Sequence, residues 1–156
     1  MKMVSEVMSS NPRTVSQTAR ASDAARIMLE EDVGSLPVID DGAVVGIVTD
    51  RDVALRVVAT GRDPETTTVD EIASRDVLCV TPDYSLDDVY ERMTAWQVRR
   101  LPVVHEGQLV GIVAQADLVR ELKDKKAGQL VGEISRPGKR LYGSSAPAIS
   151  AWKRTV

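Results

Sequence analysis

The chain is one unit written twice at a fixed offset of 65 residues, without a gap. That repeat limits the folds open to it more than any other feature. Val4 meets Val69, Glu6 meets Glu71, Val15 meets Val80, Asp23 meets Asp88 and Met28 meets Met93. Leu36-Pro37-Val38 then meets Leu101-Pro102-Val103, Gly42 meets Gly107, and Val45-Gly46-Ile47-Val48 meets Val110-Gly111-Ile112-Val113. Each copy is short for a self-sufficient core, so the two halves are expected to pack on one another.

Each copy opens with a short helical turn (Val4 to Met8; Val69 to Ile72) and an extended segment ending near Val15 or Val80. A helix follows. In the second copy Leu86, Val89, Tyr90, Met93 and Trp96 recur at helical spacing behind Ser85 as N-cap, with Asp88 at the third position. Ala21, Ala24, Ala25 and Met28 hold the equivalent places in the first, and core packing accounts for the stripe. Two strands come next, Leu36 to Ile39 and Ala43 to Thr49, with Leu101 to Val104 and Gln108 to Ala114 as their counterparts. Asp40-Asp41-Gly42 and His105-Glu106-Gly107 between them are hairpin signals. A closing helix runs on from each, the first ending at Gly61 as a C-cap. The order is strand, helix, strand, strand, helix, which is an α/β (α+β) class.

Composition narrows the function. With no Phe, two Trp and three Tyr, the core is expected to be aliphatic. One His and one Cys leave most metal and nucleophilic chemistries without their parts. Cys79, in Val77-Leu78-Cys79-Val80, reads as a buried small hydrophobe. No apolar run approaches the roughly 18–20 residues of a membrane span, so a soluble cytoplasmic protein with no membrane contact is expected.

The chemistry-bearing stretch is Gly46-Ile47-Val48-Thr49-Asp50-Arg51-Asp52, which returns as Gly111-Ile112-Val113-Ala114-Gln115-Ala116-Asp117. Each runs from an apolar strand into a helix N-terminus, where unpaired N–H groups and the dipole suit an anion, and an aspartate one turn in suits a polyol. Thr49 with Asp52 three residues on is equally a capping box. Ala114 drops the capping hydroxyl while Asp117 stays, which leans toward a ligand role for the acids; an acid in a first turn is nonetheless favourable by itself.

With these residues the chain resembles a tandem pair of cystathionine-β-synthase (CBS) domains, a Bateman module, over about residues 1 to 122. The resemblance rests on the opening at Val4 to Met8, on both Leu-Pro-Val tripeptides, and on Gly46 to Asp52 with its weakened copy at Gly111 to Asp117. It implies two repeats paired about a pseudo-twofold axis with clefts between them, usually in flat homodimers. Such modules are regulatory and non-enzymatic, and they sense AMP, ADP, ATP, S-adenosylmethionine or a dinucleotide. The resemblance assigns the ribose to Thr49 and Asp52, and to Asp117 with Ala114 departing from the pattern. It assigns phosphate to Arg99 and Arg100, a task suited to guanidinium forks, with Arg51 as a further candidate. The first copy has Gly34-Ser35 where the second has the arginine pair. A solvated helix end is the other reading of that pair.

The organisation expected is repeat 1 over 1–61, a linker over 62–68, repeat 2 over 69–122, and a basic, mobile tail over 123–156. The tail carries five Lys and three Arg against Asp124 and Glu133, net +6, which leaves −9 for residues 1–122. Gln129 to Ile134 suggests a short turn of helix against the module. The leading function is a regulatory module that binds an adenosine-containing ligand, with no cofactor or metal, and reports to a protein partner. The alternatives are a ligand-free dimerisation scaffold in which Thr49 and Asp52 only cap, and a nucleic-acid contact through Arg136, Lys139, Arg140, Lys153 and Arg154 with Tyr142 and Trp152 stacking.

Overall fold

The computed structural model describes residues 1–121 and 124–134. Among them are two three-stranded sheets and six α-helices, a mixed α/β architecture. The chain divides into two compact units that cut across the sequence repeat. The first is Arg13–Val77, and the second joins Met1–Pro12 to the segment that begins at Leu78.

The first unit holds β2 (Val15–Ser16), α1 (Ala21–Glu31), β3 (Ser35–Asp40), β4 (Ala43–Thr49), α2 (Asp50–Val53) and α3 (Val69–Ile72), once β1 (Ser9–Ser10) is counted in the other unit. β2 runs parallel to β3, and β3 pairs antiparallel with β4. The turn between β3 and β4 places Asp41 and Gly42 at φ +49° and +80°, the two left-handed positions a tight hairpin needs. A bulge between Val38 and Ile39 shifts the register.

α2 continues into a π-helical turn, Ala54–Val58, marked by the Ala59 N–H bonding the Ala54 carbonyl at 2.9 Å. The stretch Arg62 to Thr68 is packed into the unit: the Thr67 hydroxyl donates to the Asp63 carbonyl at 2.8 Å, and the Thr67 carbonyl accepts from the Ala21 N–H at 2.8 Å. Val69 and Ile72 on α3 are fully buried in a core with Val15, Ala21, Ala24, Met28, Leu36, Val38 and Val48. Beyond α3, Ser74 exchanges two backbone hydrogen bonds with Ile47 of β4.

The second unit repeats this plan with the other arm. It contains the 3-10 turn Val4–Glu6, β1, α4 (Leu86–Trp96), β5 (Arg100–His105), β6 (Gln108–Ala114), α5 (Gln115–Glu121) and α6 (Asp124–Ile134). Ser9 on β1 faces Ile112 on β6, as Ser74 faces Ile47. Glu106 and Gly107 repeat the hairpin geometry at φ +49° and +79°, and Val103/Val104 repeat the bulge. Val4 is fully buried with Val80, Val89, Met93, Leu101, Val103 and Val113.

Each repeat therefore gives its opening arm to the core built mainly from the other repeat. Burying a Val or Ile side chain is worth about 1.5–3 kcal/mol, so Val4 in one core and Val69 with Ile72 in the other hold the arms firmly.

Past Glu121 the chain differs from the expected tail. α6 extends over Asp124–Ile134, beyond the short turn at Gln129 to Ile134, and Leu130 and Ile134 enter the second unit's core. Gly128 and Gly132 argue against a helix by propensity, but burial of Leu130 and Ile134, one turn apart, outweighs them. The basic and aromatic residues from Arg136 onward, named above for a nucleic-acid contact, lie outside the described residues.

Candidate ligand-binding site at the strand–helix junctions

In the first unit β4 stops at Thr49, whose extended backbone (φ −120°, ψ 162°) turns the chain into α2. The Asp52 N–H donates to Thr49 Oγ1 at 3.1 Å, and the Thr49 N–H donates to Asp52 Oδ2 at 2.8 Å. The capping box is complete. The other Asp52 oxygen, Oδ1, lies 3.7 Å from Nε of Arg56 one turn on, and the two side chains are only 4% and 2% exposed.

Burial pushes the Asp52 carboxyl above the usual aspartate range; the Arg56 charge and the Thr49 bonds pull the other way, and Asp50 adds to the rise. Asp50 and Arg51 are exposed beside it. The Asp50 N–H donates to the Gly34 carbonyl at 3.0 Å, and Asp50 Oδ1 accepts from the Arg51 N–H at 2.7 Å. A Cβ at Gly34 would lie 3.1 Å from Asp50 Oδ2, so the carboxylate covers that glycine.

In the second unit β6 stops at Ala114. Asp117 Oδ2 accepts the Ala114 N–H at 2.8 Å, and Oδ1 accepts from Arg120 Nη2 at 2.7 Å. Arg120 is 73% exposed, so this acid is held from the surface, whereas Asp52 is held from inside. Arg99 and Arg100 are exposed at the start of β5, past the end of α4. Both lie next to the junction: the Arg99 carbonyl accepts the Gln115 N–H at 2.8 Å, and Arg100 is opposite Ala114.

The candidate residues thus fall into two sets: Thr49, Arg51 and Asp52 in the first unit, and Arg99, Arg100 and Asp117 in the second. At equivalent places the first has Gly34 beside Asp50 and the second has Arg99 beside Gln115, so the second junction is the more basic of the two.

The contrast between Thr49 and Ala114 carries less weight than the sequence suggested. Among the described residues an acid three residues on accepts the N-cap amide six times: Glu6 from Met3 (2.6 Å), Asp23 from Arg20 (3.3 Å), Asp52 from Thr49, Glu71 from Thr68 (2.7 Å), Asp88 from Ser85 (3.2 Å) and Asp117 from Ala114. Met3, Arg20 and Ala114 have no hydroxyl, so the acid half of the box works alone and capping by itself explains why Asp117 stays. Asp52 differs from the other five in its burial and in its buried partner. Arg56 was missed in the sequence, although its place four residues after Asp52 is the ordinary spacing of an ion pair on a helix.

Two repeats with matching junctions, matching hairpins and matching bulges agree with the family profile of the CBS domain, which fits residues 4–59 and again 69–124. The chain belongs to the CBS domain family. The CBS domain-containing protein YhcV of Bacillus subtilis is 40% identical over 136 residues, covering 86% of this chain and 96% of its own. Among solved structures, the CBS domain pair of MJ0100 in complex with 5′-methylthioadenosine and S-adenosyl-L-methionine superposes with TM-score 0.70 at 29% identity, covering 80% of this chain and 98% of that one. CBSX2 in complex with AMP superposes with TM-score 0.67 at 28% identity, covering 78% and 96%.

Other chemistry has little to build on. Among the described residues no group of three or more His, Cys, Asp or Glu is placed to hold a metal, and no helix is long and apolar enough to cross a membrane. Cys79 is half-buried, and burial pushes its thiol up, away from the reactive thiolate.

Proposed function

We propose that this CBS pair is a regulatory module that binds an adenosine-containing ligand, AMP, ADP, ATP or S-adenosylmethionine, without catalysis. Asp52 carries the reading. A carboxylate buried at a strand–helix junction, beside a hydroxyl and an internal cation, suits the ribose diol, and two relatives of like fold hold adenosine compounds. In the first unit Thr49 assists on the ribose and Arg51 serves phosphate; in the second unit Arg99 and Arg100 serve phosphate and Asp117 a second, weaker site. Control of a protein partner follows if the ligand prefers one shape of the module or of its homodimer, since equal affinity for both shifts nothing.

The test is a thermal-shift and calorimetric screen with AMP, ADP, ATP, S-adenosylmethionine and NAD, using guanosine nucleotides as controls. At a hundredfold excess over Kd a ligand adds about 2.7 kcal/mol, or several degrees at roughly 2–4 °C per kcal/mol. A shift confined to adenosine compounds and lost in Asp52→Asn is expected. A flat panel would overturn the reading and favour a dimerisation scaffold, which the sixfold use of acids as caps also supports.

A further inference from the structure

Asp52 and Arg56 are the charged side chains buried among the described residues, and they lie together in the first unit. Arg56 faces two ways. Its Nε approaches Asp52 Oδ1, and its Nη1 donates to the carbonyl of Ile72. Ile72 ends α3, the last turn of the arm before Ser74 pairs with Ile47 on β4. A single rigid guanidinium therefore spans the junction acid and the arm.

The second unit is built differently at the matching places. The residue equivalent to Arg56 is Glu121, which holds the other arm through Lys2 at 2.5 Å, with the lysine 54% exposed. Asp117 is held instead by the exposed Arg120. There the acid and the arm have separate partners in solvent, where such pairs are worth little. In the first unit they share one partner in the interior, where a buried charge that loses a partner is left costly and uncompensated.

We propose that Arg56 is a positioning residue that couples the Asp52 carboxylate to the Val69–Ser74 arm, so that a change in what Asp52 binds alters how firmly the arm is held on β4. When Asp52 accepts hydroxyl donors, they compete with Arg56 for its oxygens, the guanidinium loses the acid that orients it, and its hold on the Ile72 carbonyl weakens. The effect is reciprocal, because an arm held more firmly changes the affinity of Asp52 for those donors by the same factor. As a route for a ligand signal this rests on the adenosine-binding reading; the coupling itself is a property of the ligand-free chain.

Hydrogen exchange of the Ser74 and Ile47 amides, followed residue by residue in the full chain, tests it. Asp52→Asn, Arg56→Lys, Arg56→Met and the double variant are compared without ligand, with the Ile112 amide of the second unit as a control for general loosening. Asp52→Asn and Arg56→Met should each speed exchange at Ser74 about tenfold, with the double variant no faster than either single one, because contacting residues are non-additive. Arg56→Lys, which keeps the charge and loses the fork, should fall between. If Arg56→Met does not fold, the cycle of Asp52→Asn with Arg56→Lys answers the same question.

AMP at saturation should alter Ser74 exchange in the parent chain and leave Arg56→Met unchanged. Additive effects, or parent-like exchange at Ser74 in a folded Arg56 variant, would overturn the coupling even if AMP binds. Non-additivity in a chain that AMP and its analogues fail to bind would remove the ligand reading and leave the coupling standing.

Discussion

Ser74 and Ile47 bond each other twice through their backbones, both N···O distances being 2.9 Å, and Gly46 beside them leaves the room for it. A Cβ at Gly46 would lie 2.9 Å from the Ser74 carbonyl oxygen, which is backbone and cannot swing aside. At the equivalent Gly111 the nearest atom is the Met8 sulfur at 2.7 Å, with the Ser9 carbonyl oxygen at 3.0 Å. Met8 can rotate away, but the Ser9 carbonyl cannot. Gly46→Ala and Gly111→Ala should therefore each cost about 1–3 kcal/mol, as urea unfolding of the two variants will show. A negligible cost at either would mean that its arm is not seated as described.

The capping chemistry predicts opposite signs at two helix starts of the second unit. Ser85→Ala removes a hydroxyl that accepts the Asp88 N–H at 3.1 Å and should cost about 0.5–2 kcal/mol. Ala114→Thr supplies the hydroxyl that the Asp117 box lacks and should gain up to about 1 kcal/mol. Thermal unfolding reads both, and a destabilised Ala114→Thr would show that this junction has no room for a full box.

Proton linkage at Asp52 has a definite sign. Its carboxyl is pushed up by burial, with Asp50 adding to the rise and Arg56 and the Thr49 bonds opposing it. An acid raised in the folded state binds more protons folded than unfolded, so its contribution to stability falls as pH rises above the ordinary aspartate value of 3.8 and through the folded value. The slope for one proton is at most about 1.4 kcal/mol per pH unit. Asp23, Glu71 and Asp88 are pulled down by their own caps and partners and act in the opposite sense, but they are common to parent and variant. The stability advantage of the parent over Asp52→Asn should shrink with rising pH across that window. Denaturant titrations at several pH values measure it, and a widening gap would reverse the assignment.

α6 offers a packing test. Leu130 is fully buried and Val131 next to it is 45% exposed. Leu130→Ala should cost about 2–5 kcal/mol, whereas Val131→Ala should stay within about 0.5 kcal/mol. Similar small effects at both positions would show that the helix does not complete the second unit's core in solution.

Much of this architecture is legible from local rules. Asp41-Gly42 and Glu106-Gly107 announce their hairpins because few residues other than glycine and its short polar companions tolerate the left-handed turn. Ser85 with Asp88 announces the start of α4, and the Gly46 to Asp52 stretch announces a strand running into a helix. Turn geometry and capping act over three or four residues, so neighbouring residue types are enough to specify them. The 65-residue register is likewise legible, because it needs only the sequence compared with itself.

Other features depend on contacts that no local rule reaches. Val4 and Val69 fit either core equally well by type, since the repeats match, and only the folded chain places each arm on the other repeat's sheet. α6 forms against its glycines because Leu130 and Ile134 find a core to enter. Asp52 and Asp117 look alike in their motif, and what separates them is burial: one faces Arg56 in the interior, the other Arg120 in solvent. The aspartate and its spacing belong to the sequence, while the strength of its charge and the partner that answers it depend on how much water the tertiary packing removes.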